Sequence, residues 1–592
     1  MKKEMVLHIP MSQYAHGIAE DRLVIRLRTA KNDLKNVTLY YGDTACRQNP
    51  IIFYPEKMDK VASDLHFDYY EAEFVSRFHR IYYYFLLEDG KESIYYYSDF
   101  FRSILSEDRS EYYKIPFNHR EDIADIPDWV KDAVVYNIFP DSFASSANEI
   151  SGAGNKQLFQ NEHMTEPVWT TANLGGTIKG IGENVEYLKK LGVNCIYINP
   201  IFAAGEYHKY DTLDYFQIDP CFGTNKDFKE MVKIMHQKGI RVIIDGVFNH
   251  CGWKFFAFED VVKNGENSKY KDWFYGLTFP VKRPETPEEI PSYECFAYER
   301  LMPKLNTSNK EVQEYLLKVG KYWVEEFDID GWRLDVASEV NDDFWRQFRK
   351  AVRSVKNDCF IIGEVWESGA HWMQGDMFDS TMNYDVRKFC NYFFAKEAID
   401  SVTFDAGVTN MRMRYRKNLQ YGQLNLLDSH DVSRFLSVCG ENKDKWKIAV
   451  IFQMMFLGVP SLFYGNEQGF TGNHEVDYRR KMEFKTTGET FLFFQKLIDI
   501  RKKEVAVRRG DYKTVFAEAD KRVYAFSRNL NEETVLVILN ASENEADISK
   551  ILNQLSERND GKSLQSTILL QHNLHTQYLG TYGYLILKIQ MG

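Results

Sequence analysis

None of the eight cysteines in this 592-residue chain forms a Cys-x-x-Cys pair. Several stand in apolar, strand-like runs such as Val193-Asn194-Cys195-Ile196-Tyr197-Ile198. That pattern excludes a disulfide framework and a cysteine zinc site, and points to free thiols in a reducing compartment. No apolar run reaches the roughly 18 residues that a membrane-crossing helix needs. The opening Met1-Lys2-Lys3-Glu4-Met5 leads into too short an apolar stretch for a signal peptide. Basic excess is missing too: the net charge is −11, which counts against nucleic acid and anionic membrane surfaces as partners. A cytoplasmic protein is the expectation, with no membrane and no nucleic-acid partner.

What is present suits a globular protein, with 44% apolar and 27% charged residues and length enough for three or four domains. Aromatics reach 15%, a supply that suits stacking on sugar rings, although most aromatics in any protein are core.

Residues 1–125 read as all-β. Leu23–Arg28, Val37–Asp43, Tyr69–Phe74 and Ile81–Leu87 are short strand patterns between polar turns, with no helical period. They suggest a β-sandwich whose tyrosines either pack or hold sugar. Residues 126–505 change to strand, helix, strand. Ala133–Phe139 is a strand; Ile181, Val185, Leu188 and Leu191 mark a helix stopped at Gly192; Cys195–Ile198 follows. Phe228, Met231, Val232 and Met235 repeat the scheme up to Gly239 and the strand Arg241–Phe248. Val312, Tyr315, Leu316, Val319, Trp323 and Phe327 form the stripe of a third helix, with Ser308 and Glu311 as a capping box. The strands Phe360–Val365 and Ser461–Tyr464 continue the series. Such repetition argues a parallel sheet with helical crossovers, closed as a (β/α)8 TIM barrel. The stretch 251–305 breaks the rhythm and reads as an inserted domain after strand 3. Residues 506–592 return to strand patterns, a C-terminal antiparallel β-sandwich.

In a barrel of this kind chemistry sits at the C-terminal ends of the strands. Strand three ends Asp245-Gly246-Val247-Phe248-Asn249-His250, and strand four Gly331-Trp332-Arg333-Leu334-Asp335. Strand five ends Gly363-Glu364-Val365-Trp366, and strand seven runs out as Leu427-Asp428-Ser429-His430-Asp431. Period two places Arg333 and Asp335 on one face of their strand, opposite Trp332 and Leu334. Buried side by side, those charges need each other or a substrate; a structural ion pair is the plain alternative. Paired carboxylates without phosphate-cradling glycines suggest acid/base chemistry on a neutral polar substrate. The histidines offer no His-x-x-x-His spacing, so no metal site is assigned.

These strand ends resemble the α-amylase superfamily (glycoside hydrolase family 13), most of all its neopullulanase, cyclomaltodextrinase and maltogenic amylase group. Met302-Pro303-Lys304-Leu305-Asn306 is similar to that group's signature in the inserted domain, and Leu39-Tyr40-Tyr41-Gly42-Asp43 to its starch-binding-type front module. The resemblance implies a retaining hydrolase of α-1,4 glucosidic bonds, with α-1,6 bonds as a further target, in maltooligosaccharides, cyclomaltodextrins or pullulan. Transglycosylation is an implied side path. An exo-acting α-glucosidase and a catalytically inactive carbohydrate-binding protein are its rivals. It implies Asp335 as nucleophile, Glu364 as acid/base and Asp431 as the carboxylate that binds sugar hydroxyls in the transition state. Arg333 would aim Asp335, and Asp245 would orient Arg333. His250 and His430 would donate to hydroxyls, Tyr210 would floor the first subsite and Trp366 would line the other side of the cleavage point. His208, Asn249, Glu339 and Arg434 complete the implied substrate set. Some members bind calcium after the first strand; here Ala144-Ser145-Ser146-Ala147-Asn148-Glu149 and Thr177 after Gly175-Gly176 offer few charged oxygens. No cofactor is therefore expected, with calcium at most a weak ligand. A homodimer through the N-terminal domain, capping the partner's cleft, is also implied.

Overall fold

Eight short parallel strands close into a barrel: β1 Val135–Ile138, β2 Cys195–Ile198, β3 Arg241–Gly246, β4 Gly331–Leu334, β5 Phe360–Gly363, β6 Ser380–Asn383, β7 Leu424–Leu426 and β8 Val459–Phe463. The computed structural model describes residues 1–146, 155–164, 166–286, 288–557 and 564–591. Each barrel strand pairs with the next and β8 returns to β1. Apart from the half-buried Arg241 that opens β3, every residue of the eight is buried, as expected of parallel strands sheathed by helices. The register sets Asp245 on β3 directly beside Arg333 on β4.

The helix Lys310–Phe327 shows how the sequence builds this layer. It buries Val312, Leu316, Val319, Trp323 and Phe327 against the barrel, while Tyr315 stays half-buried. Its cap is Asn309, not Ser308: the Asn309 side-chain carbonyl accepts from the N–H groups of Glu311 (2.9 Å) and Val312 (3.3 Å). It ends at Asp328 in the left-handed region, φ 57°. The expected single helix over 181–191 is two, Ile178–Glu183 and Val185–Leu191, broken at Asn184. Gly192 (φ 103°) and Gly239 (φ 70°) do stop their helices, in a conformation that side chains resist. Between β3 and β4, residues 251–305 carry the helix Phe256–Asn264 and return alongside β3's exit through a bridge between His250 and Lys304.

Ahead of the barrel, strands Ala15–Ala19, Arg22–Ala30, Phe67–Val75 and Asp59–Ser63 form one antiparallel sheet. A second, six-stranded sheet is centred on Asn36–Asp43 and Ile81–Glu88. The two enclose a core of their own, in which Leu23, Ile25 and Leu27 meet Leu39, Tyr83 and Phe85. After the barrel, the C-terminal strands make one continuous six-stranded sheet. One set of its side chains, Tyr524, Phe526, Val535 and Val537, joins the barrel core. The alternate set, Ala525, Leu536 and Ile538, packs with Ile548 and Ile551 of the segment that follows.

Candidate active site

Arg333 is the hub. Fully buried, its Nη1 donates to both oxygens of Asp245 (2.9 and 3.0 Å) and to Asp335 Oδ1 (2.8 Å). Its Nη2 lies 3.0 Å from Glu364 Oε1 but is not aligned as a hydrogen bond, so that contact is electrostatic. Tyr197 Oη donates to Asp245 Oδ2 (2.7 Å) from the neighbouring strand β2. Glu364, one residue past β5, accepts from the backbone N–H of Val336 (2.8 Å) and from Trp366 Nε1 (3.0 Å). The Val336 contact uses an uncommon backbone: this β-branched residue sits at φ 44°, a conformation costing about 1–3 kcal/mol that concentrates at functional sites. Its strain falls on the residue after Asp335.

Asp431 approaches from the loop after β7. Asn199 Nδ2 donates toward the His430 ring, 2.9 Å from Nδ1 and 3.2 Å from Nε2. Nε2 also faces Asp431 Oδ2 at 3.0 Å and the Tyr210 hydroxyl, where a ring proton on Nε2 would serve the carboxylate. Burial, helped by Arg333 and Arg479, holds His430 far below its usual pKa, so the ring is a neutral donor. The Tyr210 ring stacks near His430, centroids 5.8 Å apart at 9°.

Three carboxylates, Asp245, Asp335 and Glu364, thus share one guanidinium, and Asp431 stands beside them with Arg479 3.7 Å away. Burial first, and then repulsion from Glu364, push Asp431 up to about 7, against the pull of Arg333 and Arg479. Burial likewise raises Asp335 and Asp245, opposed by Arg333. A cluster so built retains a proton near neutrality, and that proton belongs to the group rather than to one residue. A retained proton beside an arginine-held carboxylate is what paired acid and nucleophile chemistry requires.

These groups open into a cleft of about 580 Å³. Asp335, Glu364, Asp431, Tyr210, His208, His250, Trp366 and Glu339 line it, whereas Arg333, Asp245, His430 and Asn249 lie buried behind them. Trp366 is 51% exposed and stacks on Tyr384 at 4.0 Å, a flat apolar wall of the cleft. Buried behind Phe296, His250 is pushed down to about 3, chiefly by burial and then by Lys304. Lys304, inside the Met302–Asn306 motif, donates to Asn249 and to Glu339 Oε2 (3.1 Å), tying the inserted segment to the rim.

One expected site residue is misplaced. Arg434 is fully buried, with Nη1 on Asn466 Oδ1 (3.0 Å) and Nε and Nη2 on the Tyr478 carbonyl (3.2 and 2.8 Å). It braces the loop after β8 and does not reach the cleft. The arginine that does is Arg479, 3.7 Å from Asp431 and hydrogen-bonded to Glu475, the Tyr207 hydroxyl and the His430 carbonyl. Phe296, Glu475 and Arg479 line the cleft although no role there was expected of them. Phe296 and Glu475 open the short helices Phe296–Tyr298 and Glu475–Tyr478, and Arg479 caps the second, turns too short to show a period; the Met302–Asn306 motif, whose Met302 also lines the cleft, pointed that way.

The loop after β1 does not fit a calcium ion in its described part. Ser145 Oγ donates to the Gly175 carbonyl (2.8 Å), and Thr177 Oγ1 caps the helix Ile178–Glu183 through Gly180 N–H (3.1 Å). Residues 147–149 of that loop lie outside the described residues. Among the described residues no group of three or more His, Cys, Asp or Glu could hold a metal ion.

Known proteins fit this geometry. The family described as "Alpha amylase, catalytic domain" matches residues 137–486, and "Alpha amylase, N-terminal ig-like domain" matches residues 1–119. A cyclomaltodextrinase of Geobacillus thermopakistaniensis is 41% identical over 93% of this chain and 92% of its own length. Neopullulanase 2 of Thermoactinomyces vulgaris is 39% identical, covering 91% of each. A solved cyclomaltodextrinase structure superposes with TM-score 0.89 at 35% identity, covering 100% of both chains.

Proposed function

This chain belongs to the α-amylase family, and from that premise we propose that it hydrolyses α-1,4 and α-1,6 glucosidic bonds of short or cyclic glucans with retention of configuration. The observation that carries the proposal is the single guanidinium of Arg333 touching Asp335 and facing Glu364 (2.8 and 3.0 Å). Both carboxylates lean on one guanidinium at the same rim, the pairing of nucleophile and acid that a retaining mechanism uses.

Asp335 attacks the anomeric carbon as its carboxylate, the form Arg333 favours against the burial that raises its pKa, while Glu364 protonates the departing glycosidic oxygen. A covalent glucosyl ester results. Glu364, now a carboxylate, takes a proton from water, which displaces Asp335 and restores the configuration. A sugar hydroxyl in place of water gives transglycosylation. Asp431 and the neutral His430 bind ring hydroxyls as positive charge develops, and Tyr210 and Trp366 provide the flat walls. Arg479 fills the place expected of Arg434.

No cofactor is assigned, because the described oxygens after β1 are committed to protein partners. The eight free cysteines support a reducing, cytoplasmic setting. The N-terminal domain is the proposed dimer contact; it leaves Phe100 and Ile104 60% and 79% exposed, apolar area that association would cover.

The test is a product time course on β-cyclomaltodextrin, pullulan and soluble starch, with Asp335→Asn and Glu364→Gln alongside. Ring opening, release of panose or maltose with the α-anomer formed first, and silent variants are expected. Stepwise glucose release with the ring untouched would move the protein to the exo-acting side.

A further inference from the structure

The cleft is not the largest hollow in the molecule. A cavity of about 670 Å³ lies on the barrel's flank, between the helix Lys310–Phe327, the strand Thr212–Ile218 and residues 159–163. That size falls within the roughly 300–1,000 Å³ of small-ligand sites. Its floor is aromatic: Tyr315 and Tyr322 stand one above the other on the helix and pack edge-on against Phe216 at 5.7 and 5.2 Å. The helical stripe would place Tyr315 wholly in the core, yet it and the other two remain half-buried with surface turned to the hollow.

The rim is polar and close to neutral. Asp214 faces in, fixed by Asn161 Nδ2 (2.8 Å) and the Phe216 N–H (2.8 Å). Across from it Lys318 hangs over the Phe216 ring at 5.7 Å. Among the described residues, the side chains of Lys318 and Gln217 have no hydrogen-bond or ion-pair partner, and neither does the Tyr315 hydroxyl. Flat apolar rings between free donors and acceptors, with little net charge, match one ligand chemistry. The ligand has apolar C–H faces and a belt of hydroxyls, which is a pyranose.

We propose that this flank cavity is a second, non-catalytic binding site for an α-glucan segment, which tethers longer substrates to the barrel. The proposal rests on the glucan reading above. A tethering site lowers KM for long chains and leaves short ones alone, because only a long chain spans both sites.

Isothermal titration of maltohexaose into Asp335→Asn protein tests it. Phe216→Ala/Tyr322→Ala is expected to remove one binding site per chain. Lys318→Ala/Gln217→Ala, which alters only solvent-facing groups and spares the fold, is expected to weaken that site about five- to tenfold, the loss of roughly one polar or stacking contact. On otherwise wild-type protein the same pairs should raise KM for soluble starch and leave kcat/KM for maltotriose unchanged. Unaltered stoichiometry and affinity in both variants, with native circular dichroism, would overturn the second site. If wild-type protein hydrolyses no glucan at all, the catalytic reading fails instead.

Discussion

The two ends of strand β4 carry opposite electrostatics only a few residues apart. At the lower end Asp330 is buried among partners that all favour its charge. Arg241 Nη1 (2.8 Å), Lys356 Nζ (2.9 Å), His236 Nε2 (2.8 Å) and the Val242 N–H (2.8 Å) all meet its carboxylate. Burial alone would raise it, but the His236 bond, Lys356 and the Val242 N–H outweigh burial and bring it down to about 2. At the upper end Asp335 shares Arg333 with Asp245 and Glu364, and burial, with repulsion from Glu364, Asp245 and Asp431, drives it up. Asp379, below β6, repeats the lower pattern with Arg349 (2.6 Å) and Arg353 (2.8 Å). Charges at the bottom are balanced and hold the barrel together; charges at the top are left short of partners. The deficit is what makes the upper set reactive.

Breaking the upper end should show first and most. Asp335→Asn is expected to lower kcat by about 10⁴-fold or more. The urea midpoint should stay level or rise, since one of four crowded anions is gone while Asp245 still partners Arg333. A variant that lost both activity and stability would mean that the upper cluster is structural after all. At the lower end the signs reverse. Asp330→Asn removes the buried acid that Arg241, Lys356 and His236 share. Breaking a buried pair costs about 3–5 kcal/mol, and here the loss falls toward the lower figure because Arg241, 35% exposed, keeps Asp358 and Lys356 keeps Asp328. Its kcat, measured in native buffer, should be unchanged.

The upper half of this comparison was legible in the sequence, because barrel strands end in short motifs and each motif carried an acid or an arginine. Seven strands were legible, β3, β4, β5 and β7 by those motifs and β1, β2 and β8 as apolar runs in the strand-helix rhythm. β6 was not: Ser380-Thr381-Met382-Asn383 carries no apolar run, and its side chains pair inside the barrel. Asn383 donates to Asn425 Oδ1 (2.9 Å) and Thr381 to Gln423 Oε1 (3.0 Å). Arg434 was misassigned because a charged residue just past a strand end looks the same in sequence whether it faces the cleft or the core. Arg479 escaped because the short helix it caps shows no period. The lower cluster was missed altogether. Asp330 gains its partners from Arg241 and Lys356, well separated along the chain, and register, not motif, brings them together.

Acid and base sharpen the contrast with a smaller effect. The depressed Asp330 contributes stability that is full above its unfolded pKa, near about 4, and drains as pH falls through about 2. Asp431 runs the other way. Its folded value, about 7, exceeds the unfolded one, so its contribution is most favourable below about pH 4 and is lost as pH rises toward 7. Midpoints measured against pH should therefore show Asp431→Asn gaining on wild type between about pH 4 and 7, and Asp330→Asn closing on wild type only below about pH 4. The shared proton also predicts that wild-type kcat/KM declines above about pH 7, as the cluster gives up its acid. A rate that kept rising through about pH 9 would contradict a protonated cluster.

The smallest effect isolates burial from charge. Asp328 stands two residues before Asp330 and also pairs with Lys356 (2.7 Å), but its side chain is 69% exposed. An exposed pair contributes only about 0–1 kcal/mol, since water already solvates both partners. Asparagine also tolerates the left-handed backbone that Asp328 adopts at φ 57°. Asp328→Asn should therefore shift the urea midpoint by about a third or less of the Asp330→Asn shift, although both remove one acid from the same lysine. Equal shifts would mean that the lower cluster works by net charge, whereas the expected gap assigns its strength to desolvation and fixed geometry. By the same physics the upper cluster, whose Asp335 and Glu364 are also buried but short of cations, makes a poor brace.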